Sequence, residues 1–392
     1  MPVEPDPSIF DHPFWGRGFR PFFMGGGLYA ASSILIWVGF YAGYITPPDV
    51  LPDVISWHAH EMIYGFVMAI VAGFLLTAVA NWTGGAPVRQ IQLMILCVLW
   101  LSGRIVMNVE GLPAWLAYGT ELLFIPALAI SLSLPLLRSW NTRNFIFLGL
   151  LAILWGCDIF FLLGQDRMPL YAALMVILVM ISLIGGRIIP SFTVGALRRL
   201  GYEVRVQDQY NLDKLALLSL AASIVSLIFA GVNSPVFGLS CAVSAMIHAL
   251  RMCGYHSFLA LKDPLVWILH AGYGWLVIGL AMLSLSCFQI VSVQVALHAL
   301  TVGCIGSLTL GMMCRVTLGH TGRNLLSNPV TTFSFILMQA AAVLRVAGPL
   351  LLPGYYTVFV VISGMLWSVC FLLYILLYAP MLWQARPDRQ PA

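Results

Sequence analysis

Residues 169–195 read PLYAALMVILVMISLIGGRIIPSFTVG and carry one charged side chain, Arg187. As a helix this stretch would be about 40 Å long at 1.5 Å per residue, more than the roughly 30 Å hydrocarbon core of a bilayer. A helix that long and that apolar has lipid as its solvent. The whole chain agrees. Of 392 residues, 60% are hydrophobic and 9% are charged, and the mean hydropathy is +0.94. A soluble domain is nearer half apolar and a quarter charged. Nineteen basic and fifteen acidic residues cannot cover a globule of 43.0 kDa in water. A cytosolic enzyme, a secreted disulfide scaffold, a disordered chain and a nucleic-acid binder are excluded, despite a pI of about 8.6.

Outward from 169–195, eleven more apolar runs are long enough to cross: 24–44, 54–80, 88–109, 114–137, 144–164, 212–231, 235–256, 264–286, 289–318, 329–347 and 356–383. Turn formers and charges separate them, among them Gly84-Gly85, Asp166-Arg167, Pro235, Asp263-Pro264 and Asn328-Pro329. The expected fold is all-α: a polytopic membrane bundle of twelve transmembrane helices over 24–383. A cytoplasmic segment, 1–23, precedes it and a tail, 384–392, follows. The first twenty-three residues, rich in Pro, aromatic residues and charge, do not have the form of a cleavable leader.

Basic residues set the orientation. With the N-terminus inside, the inner segments hold thirteen of the nineteen, from Arg17 and Arg20 to Arg386 and Arg389, and the outer loops hold Arg167 alone. The positive-inside rule then places both termini in the cytoplasm. The longest inner connection, 196–211, could divide the bundle into two six-span halves, although no repeat between them stands out. Stripes of small residues, Gly65, Ala69 and Gly73 in one span and Gly303, Ser307 and Gly311 in another, let helices approach closely. The eight cysteines lie in or at the ends of apolar runs and form no C-x-x-C pair, so they read as packing residues.

An ionisable group at mid-bilayer costs about 3 kcal/mol on insertion scales, so each one needs a reason. Seven of eight histidines lie in or beside the predicted spans. In Trp57-His58-Ala59-His60-Glu61-Met62, histidines two apart point about 200° apart on a helix. They cannot chelate one ion, but each can serve a different face, or one can bind while the other packs. Glu61 supplies the carboxylate that a ligating imidazole needs behind it. His298 and His320 are separated by roughly 33 Å along one helix and cannot share a metal. Glu61, Glu121 and Asp158 are the proton-handling groups toward the outer side. Arg104 is expected to neutralise Glu121 or Glu110. Arg187, Arg251 and Arg315 either snorkel to headgroups or form a basic inner cluster for haem propionates.

These motifs resemble the NnrS family. The resemblance is carried by Gly18-Phe19-Arg20-Pro21-Phe22-Phe23, W-H-A-H-E-M at 57–62, G-G-R-I-I-P-S-F-T at 185–193, L-H-A-G-Y-G-W at 269–275, and the long motif running from His298 to Arg323. It implies a polytopic inner-membrane protein containing haem (of the b type) and copper, tied to denitrification and nitrosative-stress defence. Nitric oxide would be its ligand, and an oxidoreductase its enzyme class. Carried over by position, it makes His58, His60, His270, His298 and His320 the metal-ligand candidates. Arg20, Glu61, Arg187 and Arg315 match motif positions without an assigned role, so Arg187 and Arg315 stand as cofactor-binding candidates only as members of the basic inner cluster. His248 and His256 fall outside the matched motifs and rank below. No C-x-x-C-H, iron–sulfur pattern or Rossmann fingerprint is present, so electrons would come from a separate donor. The alternative is a secondary transporter, in which the buried Arg, Glu and His groups bind substrate and protons.

Overall fold

The computed structural model describes residues 9–388, and the expectation for Arg389 lies outside them. The described residues are helical, with no strand among them. Eleven helices are long and apolar enough to cross a membrane: α1 (Phe19–Tyr41), α2 (Val54–Thr83), α4 (Ala114–Arg138), α5 (Thr142–Gly164), α6 (Met168–Arg199), α7 (Tyr210–Ala230), α8 (Pro235–Cys253), α9 (Pro264–Cys287), α10 (Val293–His320), α11 (Pro329–Leu351) and α12 (Pro353–Trp383). The span expected over 88–109 is a shorter apolar helix, α3 (Gln90–Val106). It stops early because Met107 and Asn108 close a turn on Gly103 and Ile105 before Gly111 reverses the chain at positive φ.

The breaks in the sequence are also where helices begin. Ser234, Asp263 and Asn328 each precede a proline, and each accepts a backbone N–H of the helix that follows. The acceptor satisfies a donor the first turn leaves over, and proline fills a position with no N–H to lose. Asp53 caps α2 in the same way, its Oδ1 accepting from Ile55 and Ser56 at 2.8 and 3.0 Å. Gly84 ends α2 in the left-handed region, where glycine alone pays no steric penalty. Large apolar side chains such as Ile95, Phe160, Leu218 and Phe229 point outward, as a lipid-facing surface requires.

Two compact units make up the chain. The first comprises the residues up to Asp166, with Val316–Asn324 and the residues from Tyr374 on; the second comprises Arg167–Arg315 and Leu325–Leu373. In the first, α1 packs along α2. Tyr29 lies against Gly65, Phe22 and Phe23 against Gly73, and Gly26 against Ala69 and Ile70. In the second, α9 packs along α10 with the same spacing. Trp275 lies against Gly303, Ile268 and Leu269 against Gly311, and Gly272 against Leu308. In both long helices the turn that follows a histidine is π-helical: Glu61–Val67 after His60 and Ala299–Gly306 after His298. The repeat is one of packing register, carried by glycines at matching positions, which is why hydropathy alone does not reveal it.

Candidate metal centre

His60 and Glu61 are adjacent in sequence, and side chains of adjacent helical residues diverge by about 100°. Yet His60 Nδ1 and Glu61 Oε1 lie 2.9 Å apart, where α2 passes into its π turn. Such turns often accompany functional sites. On the other side of the ring, Nε2 lies 3.1 Å from Asp158 Oδ1 and 3.9 Å from Glu121 Oε1. Tyr64 and Phe161 pack on the imidazole at ring-centroid distances of 5.0 and 5.5 Å. Arg104 Nη1 donates to Glu61 Oε1 at 2.7 Å, and its Nη2 pairs with Glu121. The Tyr29 hydroxyl donates to the other oxygen of Glu61. Asn108 donates to the Arg104 carbonyl at 2.8 Å and accepts from Trp57 Nε1 at 3.2 Å. Each of α1 to α5 therefore sends a polar side chain to one place.

His60 and Glu61 are 0% exposed, Asp158 1%, Arg104 4% and Glu121 5%. Three carboxylates face one guanidinium, so with a neutral imidazole the cluster carries two uncompensated negative charges. Unbalanced charge away from water is costly, and a divalent cation or two protons would restore the balance. His60, Glu121 and Asp158 each offer one donor atom, all within 4.8 Å of one another. Metal–ligand bonds of about 2.1 Å put two donors of one ion about 3.4 Å apart at a tetrahedral angle, close to the 3.1 and 3.9 Å between His60 Nε2 and the two carboxylates. Glu61 behind Nδ1 fixes the tautomer that leaves Nε2 to bind, the usual support for a metal-bound imidazole. Nitrogen with carboxylate oxygen suits copper(II), zinc or iron(II). It does not suit haem iron at this histidine, because Asp158 and Glu121 occupy the Nε2 side where a porphyrin would lie.

None of the other predicted histidines belongs to this group of donors among the described residues. His58 turns away from His60, as the spacing requires, and stacks on Trp37 with centroids 4.4 Å apart. His298 fixes its Nδ1 on the Gln294 carbonyl at 2.6 Å. His320 lies over Phe19 at 5.6 Å. In the second unit, His270 holds Thr193 Oγ1 at 2.8 Å and Ser257 Oγ at 2.9 Å. His248 holds Ser182 Oγ at 3.0 Å and the Ser244 carbonyl at 2.8 Å. Arg251 bonds Asp213 at 2.7 Å, Ser182 at 3.0 Å and Tyr273 at 3.2 Å. Gly186 makes room for that guanidinium, whose nitrogens occupy the place a side chain would take. Arg315 lies 4.1 Å over the Phe192 ring, with Nη1 buried and unpartnered, and Arg187 is engaged in interactions of its own. Arg104 pairs with Glu121, one of its two expected partners, and with Glu61. Tyr29, Tyr64 and Asn108 went unnoticed in the sequence. Tyr29 had a signal, since it follows Gly25-Gly26-Gly27 and must meet the glycine stripe of the next helix.

Among curated proteins, none matches the chain significantly. A family model described as NnrS protein matches residues 13–386, a stretch that takes in α1 to α12 and the side chains of the His60 cluster. With that coverage, the chain belongs to the NnrS family.

Proposed function

We propose that this protein spans the bacterial inner membrane twelve times, with both termini in the cytoplasm, and binds and reduces or detoxifies nitric oxide at a buried metal centre. Membership of the NnrS family fits a membrane protein of the nitric oxide response. The gathering of basic residues in alternate connections supports the orientation. With 17 residues, α3 is about 26 Å long, and it fills the place of the twelfth span.

The observation that carries this reading is the His60 imidazole, with Glu61 behind it and Asp158 and Glu121 before it, in a cluster short of positive charge. We assign His60, Asp158 and Glu121 as ligands of one ion, copper being the metal the family implies. Glu61 and Arg104 position the imidazole and Glu121. Reduction of nitric oxide consumes protons, and Glu61, which is not a ligand, is the carboxylate left to handle them beside the site. For haem, His298 would hold the iron through Nε2, since its Nδ1 is bonded to the Gln294 carbonyl. Arg315, with its unpartnered Nη1, suits a carboxylate. Seventeen residues along α10, or about 25 Å, separate the two, so they serve different groups. When bound, redox metals supply the electron exchange, and a separate protein donor replenishes it.

Purified protein tests the reading through metal analysis and an anaerobic reduced optical spectrum, with and without nitric oxide. Copper near one per chain and a Soret band that shifts with nitric oxide are expected, and a folded, metal-free, colourless protein refutes it. Arg251, itself buried but paired with half-exposed Asp213, favours the transporter as a second reading. Solute uptake into proteoliposomes that survives His60→Ala and chelation would select it.

A further inference from the structure

Helix ends collect at one end of the first unit. There α1 and α3 start and α10 and α12 stop, and His12 and Phe14 close over Trp383 with ring centroids 4.7 and 4.9 Å away. Arg20, with no exposed surface, lies among them. Its Nη1 donates to the Leu382 and Gln384 carbonyls at 2.8 and 2.7 Å, at the negative end of the α12 dipole. Its Nε and Nη2 are buried without a partner, and so is Arg17 Nε. Arg323 and Arg386 complete the group, Arg386 Nη1 donating to the His320 carbonyl at 3.3 Å. Burial and the nearby Arg386 hold the Arg17 guanidinium below its ordinary pKa, and burial does the same to Arg323.

Acids do not balance this group among the described residues. Asp388 is committed to Arg386 at 2.9 and 2.7 Å, and Asp11 accepts from Gln90 at 2.7 Å. Beside this group a cavity of about 270 Å³ opens, lined by His12, Gly16, Arg89 and Arg386 and also by Asp11. Guanidinium groups drawn together against their repulsion, with N–H groups left over, fit an anion with several oxygen acceptors, which they bind in forked pairs.

We propose that this end of the first unit binds a phosphoryl anion on Arg17, Arg20 and Arg323, the adjoining cavity taking the remainder of the ligand. An acidic lipid headgroup and free inorganic phosphate both present that chemistry, and the inner side, where the bases gather, offers both. The site does not depend on the metal centre, and neither readout below involves metal.

Native mass spectrometry of the full-length protein tests it with phosphatidylglycerol, phosphatidylcholine and inorganic phosphate. Phosphatidylglycerol adducts should exceed phosphatidylcholine adducts and fall about fivefold in Arg17→Gln and in Arg323→Gln, the effect of one arginine near a charged surface. They should persist in Arg138→Gln, a base on another connection. Adducts displaced by millimolar inorganic phosphate identify the free ion as the ligand, and adducts that resist it identify the headgroup. Thermal melting of the unaltered protein is a second measurement that needs no variant: the transition should rise with phosphatidylglycerol or phosphate and not with phosphatidylcholine. Equal binding of the two lipids with no response to phosphate, or full binding in both glutamine variants, overturns the proposal.

Discussion

The pairs α1–α2 and α9–α10 share one backbone device and differ in the chemistry placed on it. Each has a histidine, a π turn after it, and a glycine five residues on against which an aromatic ring of the partner helix packs. Beside His60 that ring is Tyr29, whose hydroxyl reaches Glu61. Beside His298 it is Trp275, whose Nε1 donates to Gln339 at 2.9 Å. Glu61 has Ala299 at the matching place. A third helix supports each pair: Trp100 donates to the Gly65 carbonyl at 2.9 Å, and Gln339 donates to Ser307 at 2.8 Å. Small residues set the register, and the residues around the histidine decide whether the turn becomes charged or neutral. The difference teaches that helix packing and reactivity are encoded at separate positions.

The strongest way to break the comparison is to remove donors at one histidine only. His60→Ala or Asp158→Asn should abolish copper binding at the first site, read as copper per chain, and His298→Ala should leave that copper in place. Equal loss from both would show a single shared centre. Next in size is Arg104→Met. It strands Glu61 and Glu121 without a counter-charge, and breaking a buried pair in this way costs about 3–5 kcal/mol, measured as a fall in denaturation midpoint. Gln339→Leu removes only neutral hydrogen bonds and should cost about 1–2 kcal/mol in the same assay. Gly65→Ala and Gly303→Ala each press a methyl group on an aromatic ring, a strain of about 1–3 kcal/mol. The first should also lower copper affinity, because Tyr29 moves off Glu61. The smallest effect is expected of His58→Phe, which keeps a ring on Trp37: stability within about 1 kcal/mol and copper content unchanged.

Much of this was legible in the sequence because lipid leaves few choices. Ser234-Pro235, Asp263-Pro264 and Asn328-Pro329 announce helix starts in any solvent, and the run at 169–195 has one reading. The divergence of His58 from His60 followed from 100° per residue. Of the convergence across helices, only the pairing of Arg104 with Glu121 was legible. Nothing in the spacing of Tyr29, His60, Arg104, Glu121 and Asp158 tells that five helices bring them together, since each one alone satisfies an apolar pattern with a polar exception. The π turns were hidden because an altered hydrogen-bond register leaves composition untouched. Arg17, Arg20, Arg323 and Arg386 counted only as inward charge, since a sum of charges does not tell which guanidinium is buried.

The bond from Arg20 to Leu382 joins residues 362 apart in sequence. At the ribosome's pace of about 5–20 residues per second, roughly 20–70 s pass between the synthesis of the cation and that of its acceptors. The first helix must therefore enter the bilayer with that guanidinium still dependent on water or headgroups. Its seat is finished only when the last helix arrives, which makes translation of the C-terminal turns a closing step of assembly. A chain cut short before residue 382 would hold its first helix by a clasp that never shuts.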